Sequence, residues 1–96
     1  MDREIIIEKL KQFKKESRKK YQIKSLGIFG SVARGEINDK SDIDIVIEIA
    51  KPDLFLIVEI KEDLEKQLKK PVDIIRKRES MNPFLRERIA KDAIYV

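Results

Sequence analysis

The stretch Gly27-Ile28-Phe29-Gly30-Ser31-Val32-Ala33-Arg34-Gly35, followed after a polar loop by Ser41-Asp42-Ile43-Asp44-Ile45-Val46-Ile47-Glu48-Ile49, decides how this chain is read. Ile43, Ile45, Ile47 and Ile49 alternate with Asp44, Val46 and Glu48, the period of a strand with one apolar face. Asp42 and Asp44, two positions apart, therefore project from the face opposite the isoleucines, with Cα atoms roughly 6.5–7 Å apart. Two carboxylates aimed the same way repel, by up to ~4 kcal/mol at 4 Å and an effective dielectric near 20. A divalent cation turns that repulsion into binding. Solvated acids at a strand edge are the plainer alternative.

Working outward, Ile23 to Phe29 reads as a strand that stops at Gly30. Ser31 to Arg34 reads as one helical turn closed by Gly35, the residue best suited to a left-handed cap. Asp53 to about Lys69 reads as a helix that starts at Pro52-Asp53 and bears Ile57, Ile60, Leu64 and Leu68, before Pro71 stops it. Val72 to Arg76 is a third strand and carries Asp73. The long crossover makes the Ile43 and Val72 strands parallel, so Asp73 is expected beside Asp42 and Asp44. A short connection makes the Ile23 strand antiparallel to the Ile43 strand, which brings Gly30-Ser31 to the same edge. Asp2 to about Lys20 reads as an amphipathic helix with Ile6, Leu10, Phe13 and Ser17 on one stripe. Asn82-Pro83 starts a last helix bearing Leu85, Ile89 and Ala93, and Ile94-Tyr95-Val96 is a candidate terminal strand. The expected fold is α/β in the α+β sense, one domain over residues 1–96, with a small mixed sheet of three to four strands and helices packed on it.

A Gly-rich turn feeding a helix offers backbone N–H groups to phosphate oxygens. Three carboxylates offer ligands for two Mg²⁺ ions. Together these parts describe phosphoryl or nucleotidyl transfer. The glycines at 27, 30 and 35 fit neither a Walker A loop nor a dinucleotide fingerprint.

The Gly30-Ser31 pair, ten residues, then Asp42-Ile43-Asp44 resembles the signature of the DNA polymerase beta-like nucleotidyltransferase superfamily. The fuller string through Gly35, with Ser41-Asp42-Ile43-Asp44 and Val72-Asp73-Ile74-Ile75, resembles its minimal nucleotidyltransferase branch, whose members include antitoxins paired with HEPN-domain toxins. The resemblance covers nearly the whole chain and lacks any substrate-binding domain. It implies that Asp42 and Asp44 bind two Mg²⁺ ions, that Asp73 completes the catalytic one, and that Gly30 and Ser31 hold the nucleotide triphosphate, with Arg34 as a further phosphate contact. It also implies ATP or another NTP as substrate and a HEPN toxin tyrosine as acceptor of AMP. A catalytic subunit serving a small molecule or nucleic acid through a separate substrate-binding subunit, and an antitoxin that acts by binding alone, are the competing classes.

Composition narrows the chemistry. The 96 residues contain no Cys and no His, which excludes thiolate nucleophiles, zinc-thiolate sites and imidazole bases, so a bound metal needs oxygen ligands. The longest apolar run, Leu54 to Val58, is far below the ~20 residues a membrane helix needs, and the N-terminus lacks the order of a signal peptide. A cytoplasmic chain with no membrane partner is expected. The net charge of +4 conceals segregation: residues 9–24 hold eight basic residues against Glu16, while residues 36–65 hold ten acids against three Lys. The basic flank is either the solvated face of a Lys-rich helix or an attractor of phosphates. Arg76-Lys77-Arg78 reads likewise as a solvated strand end or a phosphate contact. Direct nucleic-acid binding is not expected. Tyr21 and Tyr95 are candidates for packing or partner contact, or for modification.

Overall fold

A computed structural model describes residues 2–36, 42–51 and 53–96. Ser41 and Pro52, part of the two signals quoted above, lie outside the described residues, as does most of the polar loop after Glu36.

Helix α1 (Arg3–Tyr21) is followed by strand β1 (Ile23–Phe29), the single turn α2 (Gly30–Ala33) and strand β2 (Ile43–Ile49). Helix α3 (Leu54–Leu68), strand β3 (Val72–Arg76), helix α4 (Pro83–Asp92) and the short β4 (Ile94–Tyr95) complete the order. The sheet runs β3-β2-β1-β4, with β2 and β3 parallel and both β1 pairings antiparallel. The α+β class and the relative directions of β1, β2 and β3 are those expected from the sequence; the candidate terminal strand is present as β4, and its antiparallel place beside β1 is a finding of the structure.

Local chemistry starts the helices. The Asp2 carboxylate accepts from Ile5 N at 3.0 Å, Asp53 from Phe55 N at 2.8 Å, and Asn82 from Phe84 N at 2.9 Å ahead of Pro83. These bonds satisfy N–H groups that the first turn leaves without partners. α1 runs through Tyr21, which is buried, stacks on Phe13 at 6.1 Å and donates its hydroxyl to the Asp63 carboxylate. Burial and Asp63 push the Tyr21 hydroxyl well above the usual tyrosine range.

The main core lies between the sheet and the pair α1 and α3. Ile6, Leu10 and Phe13 meet Ile43, Ile45 and Ile47 of β2 and Ile60, Leu64 and Leu68 of α3, all essentially inaccessible to solvent. Ser17 stands only partly buried at the end of the α1 stripe. A second, smaller core lies on the opposite face, where Ile89 of α4 covers Phe29 and Val46. The face of β2 that carries Asp44 and Glu48 is thus closed at its centre by α4 and open only at its ends. No helix among the described residues is long and apolar enough to cross a membrane.

Two helices end on residues forced into left-handed backbone, Gln22 (φ 53°) and Lys69 (φ 55°). A side chain there costs ~1–2 kcal/mol, partly offset in a glycine by unfolded-chain entropy. Lys69→Gly is therefore expected to stabilise the protein by ~0.5–1 kcal/mol, a rise of several degrees in a thermal melt. A fall in melting temperature would mean that the Lys69 side chain contributes contacts worth more than its backbone strain.

Candidate active site

The register of the sheet assembles the site. β1 delivers Phe29 opposite Asp44, and β2 places Asp44 beside Asp73 of β3. Asp42 immediately precedes β2 and is exposed, Asp73 is exposed on the edge strand, and Asp44 is half-buried between them. Gly30, at φ 72°, turns the chain from β1 into α2 directly against the Asp44 carboxylate. A Cβ at this position would collide with Asp44 Oδ2. Glycine is required here twice over, for the backbone angle and for the close approach.

Ser31 follows as the second residue of α2, whose N-cap position is Phe29 with no side-chain capping bond. Ser31 is accordingly not the cap of this turn, and it is partly exposed next to Gly30. Gly35 adopts the expected left-handed angle, φ 81°, and the turn closes through Gly35 N to Val32 O and Glu36 N to Ser31 O.

Electrostatics single out Asp44. Burial raises its pKa first, and the neighbouring charge of Asp73 adds to the rise, with a smaller contribution from Asp42. Arg88 and Arg34 oppose it. The three carboxylates form an all-oxygen donor set of the kind that hard divalent cations take. Among the described residues no group of three or more acids stands close enough together to hold a metal ion in this arrangement. The carboxylate oxygens and the raised pKa of Asp44, opposed only in part by Arg88 and Arg34, are compatible in chemistry with a divalent cation at this edge.

Arg34, expected at a phosphate, is held by two carboxylates instead: Asp92 of α4 at 2.8 Å and Glu36 at 3.3 Å. Its bonds to Glu36 and Asp92 keep the guanidinium above its already high range. The arginine ties α2 to the end of α4. Two nearby residues, Arg88 and Asp92, escape the sequence reading. Their spacing of four marks one side of α4, but only the packing of that helix over the Asp44 face brings them to the site.

Cavities open elsewhere. One of about 630 Å³ lies at the far end of the same sheet face, bounded by Glu48, Lys77, Arg86 and Tyr95. Tyr95 is exposed, with the Lys77 ammonium 5.4 Å above its ring. The acids 42, 44 and 73 line neither this cavity nor one of about 490 Å³ between the starts of α3 and α4.

The sequence over residues 10–96 matches the family model of the nucleotidyltransferase domain. A Methanocaldococcus jannaschii protein, provisionally named a protein adenylyltransferase, is 43% identical over 94 residues, spanning 95% of this chain and 94% of that one. The protein adenylyltransferase MntA of Thermococcus cleftensis is 33% identical over 84 residues, spanning 86% and 84%. A solved structure described provisionally as a minimal nucleotidyltransferase superimposes with a TM-score of 0.79 at 30% identity, over 98% of this chain and 95% of that one. A chain from the complex of a tri-AMPylated Shewanella oneidensis HEPN toxin with an MNT antitoxin shares the fold, with a TM-score of 0.70 at 20% identity, over 97% of this chain and 70% of that one. With the glycine turn, the acid register and the mixed sheet in place, the chain belongs to the nucleotidyltransferase domain family, in its minimal, MntA-like branch.

Proposed function

We propose that this enzyme transfers AMP from ATP to a tyrosine hydroxyl of a partner HEPN-domain toxin in the cytoplasm, acting as the antitoxin of the pair. The observation that carries the reading is the register that sets Asp44 beside Asp73 and against the Gly30 turn. The protein adenylyltransferase name of the Thermococcus relative and the AMPylated toxin of the Shewanella complex support the choice of acceptor.

Asp42, Asp44 and Asp73 would hold two Mg²⁺ ions, which supply charge neutralisation at the phosphates and lower the barrier to ionising the acceptor hydroxyl. The backbone around Gly30 and the Ser31 hydroxyl bind the triphosphate and orient its α-phosphorus. The tyrosine oxygen bonds to that phosphorus, the bond to the bridging oxygen breaks, and pyrophosphate leaves. With no His in the chain, the hydroxyl proton goes to a carboxylate of this edge, and Asp73, exposed on the edge strand, takes that role. An exposed acid edge outside the main cavities suits an acceptor presented on another folded surface.

The test incubates the protein with the product of its neighbouring gene, Mg²⁺ and labelled ATP, and locates the label by mass spectrometry. AMP on a partner tyrosine, absent with Asp73→Asn, is the expected result. Toxin neutralisation undiminished in that variant, with no label transferred, would identify an antitoxin that acts by binding alone. Label on a small molecule or on nucleic acid would instead identify a catalytic subunit.

A further inference from the structure

Five of the eight basic residues between positions 9 and 24 line one groove. Lys11, Lys14, Lys15 and Arg18 of α1 and Lys24 of β1 line a cavity of about 590 Å³, floored by Ile23 and Val96. No described lining side chain is acidic or aromatic. The α1 cations recur at the three- and four-residue intervals of one helix face and extend roughly 10 Å along the axis. Lys14 donates to the Val96 carbonyl oxygen at 2.8 Å, which fixes the groove wall. Lys11 meets Glu8 only at 3.8 Å in an exposed pair, and Lys11, Lys15, Arg18 and Lys24 are open to solvent. The groove lies at the Ile23 end of β1, the end opposite Gly30, and so is separate from the acid edge.

Lysine is depleted and aromatic residues are enriched in protein–protein interfaces, the reverse of this surface. Single-stranded nucleic acid is held largely by aromatic stacking, which the groove lacks. A row of cations without stacking partners or base-reading amides matches the evenly spaced phosphates of a duplex. We propose that the α1 groove is a sequence-independent binding site for the phosphate backbone of a nucleic-acid duplex, contrary to the expectation drawn from the sequence. Partner-toxin modification does not require it.

The experiment measures binding of a fluorescein-labelled random 20-base-pair duplex by anisotropy at several KCl concentrations. About four phosphate contacts predict a slope of about −3.6 in log K against log salt, or roughly a hundredfold loss between 50 and 200 mM. Neutralising three exposed cations together (Lys11→Gln, Lys15→Gln, Arg18→Gln) is expected to bring the slope to about −1. A charge-matched control outside the groove (Lys61→Gln, Lys66→Gln, Lys91→Gln) should keep the original slope. Equal losses in the two triple variants, or no salt-dependent binding by the parent chain, would overturn the proposal. So would poly-glutamate of matched charge binding as tightly as the duplex, because it would point to an acidic protein. Single Lys15→Gln, expected to change the slope by about 0.9, gives the same answer if the triple variant does not fold.

Discussion

Asp44→Asn is expected to reduce nucleotidyl transfer by ~10²–10³-fold or more, the scale on which loss of one preorganised charge-stabilising group is felt. The same change is expected to raise the melting temperature of the protein in EDTA. Both effects come from one arrangement: Asp44 is half-buried, and its carboxylate faces Asp73 and Asp42 with only Arg88 and Arg34 in opposition. The stability effect depends on pH with a definite sign. Because the folded-state pKa of Asp44 is raised, the folded protein binds its proton more readily than the unfolded chain does, and stability falls as pH rises through the interval between the two values. Asparagine removes that loss. The advantage of the variant in EDTA should be full at neutral pH and should vanish as pH falls toward the ordinary carboxylate range near 4. Differences in melting temperature between variant and parent, measured from pH 4 to 8, check it. A variant that melts below the parent in EDTA across this range would make Asp44 a structural acid and remove the basis of the metal site.

Gly30→Ala is the second large change. The left-handed backbone costs ~1–2 kcal/mol for any side chain, and the new methyl group also displaces the Asp44 carboxylate. Stability is expected to fall by ~1–2 kcal/mol, or roughly 5–15 °C in a domain of this size. Activity should fall much further, by ~10²-fold or more, since a displacement of about 1 Å at a positioned group carries that penalty. The two measurements separate the causes. An activity loss no larger than the unfolded fraction at the assay temperature would mean that Gly30 matters only for folding.

How far the sequence reaches can be judged element by element. The isoleucine alternation of β2, the helix starts at Asp53 and Asn82-Pro83, and the left-handed Gly35 were all legible, because each is settled by neighbours within a few residues. The Gly30-Ser31 turn and the Asp42/Asp44 pair were legible for the same reason. Asp2, read as the first helical residue, proved to be the cap before it. The nearness of Asp73 followed from one topological rule, that a strand–helix–strand unit makes its strands parallel, while the register that pairs Asp44 with Asp73 was set by the packed sheet.

What the tertiary structure alone decided concerns α4 and α1. The periodicity of Leu85, Ile89 and Ala93 marks an apolar side of α4 without saying which sheet face it covers. That choice rests on burying Phe29 and Val46, residues distant in sequence, and it closes the centre of the Asp44 face, brings Arg88 to Asp44, and ties Arg34 to Asp92. The fate of Arg34 depended on a carboxylate 58 residues away, beyond the reach of local pattern. The α1 lysines could be counted in sequence, yet whether they lay on a solvated face or walled a groove depended on Lys24 and Val96 meeting them across the edge of β1. Local propensity and periodicity act over a helical turn or a strand, whereas charge placement and face selection follow from which burial the whole chain can satisfy at once.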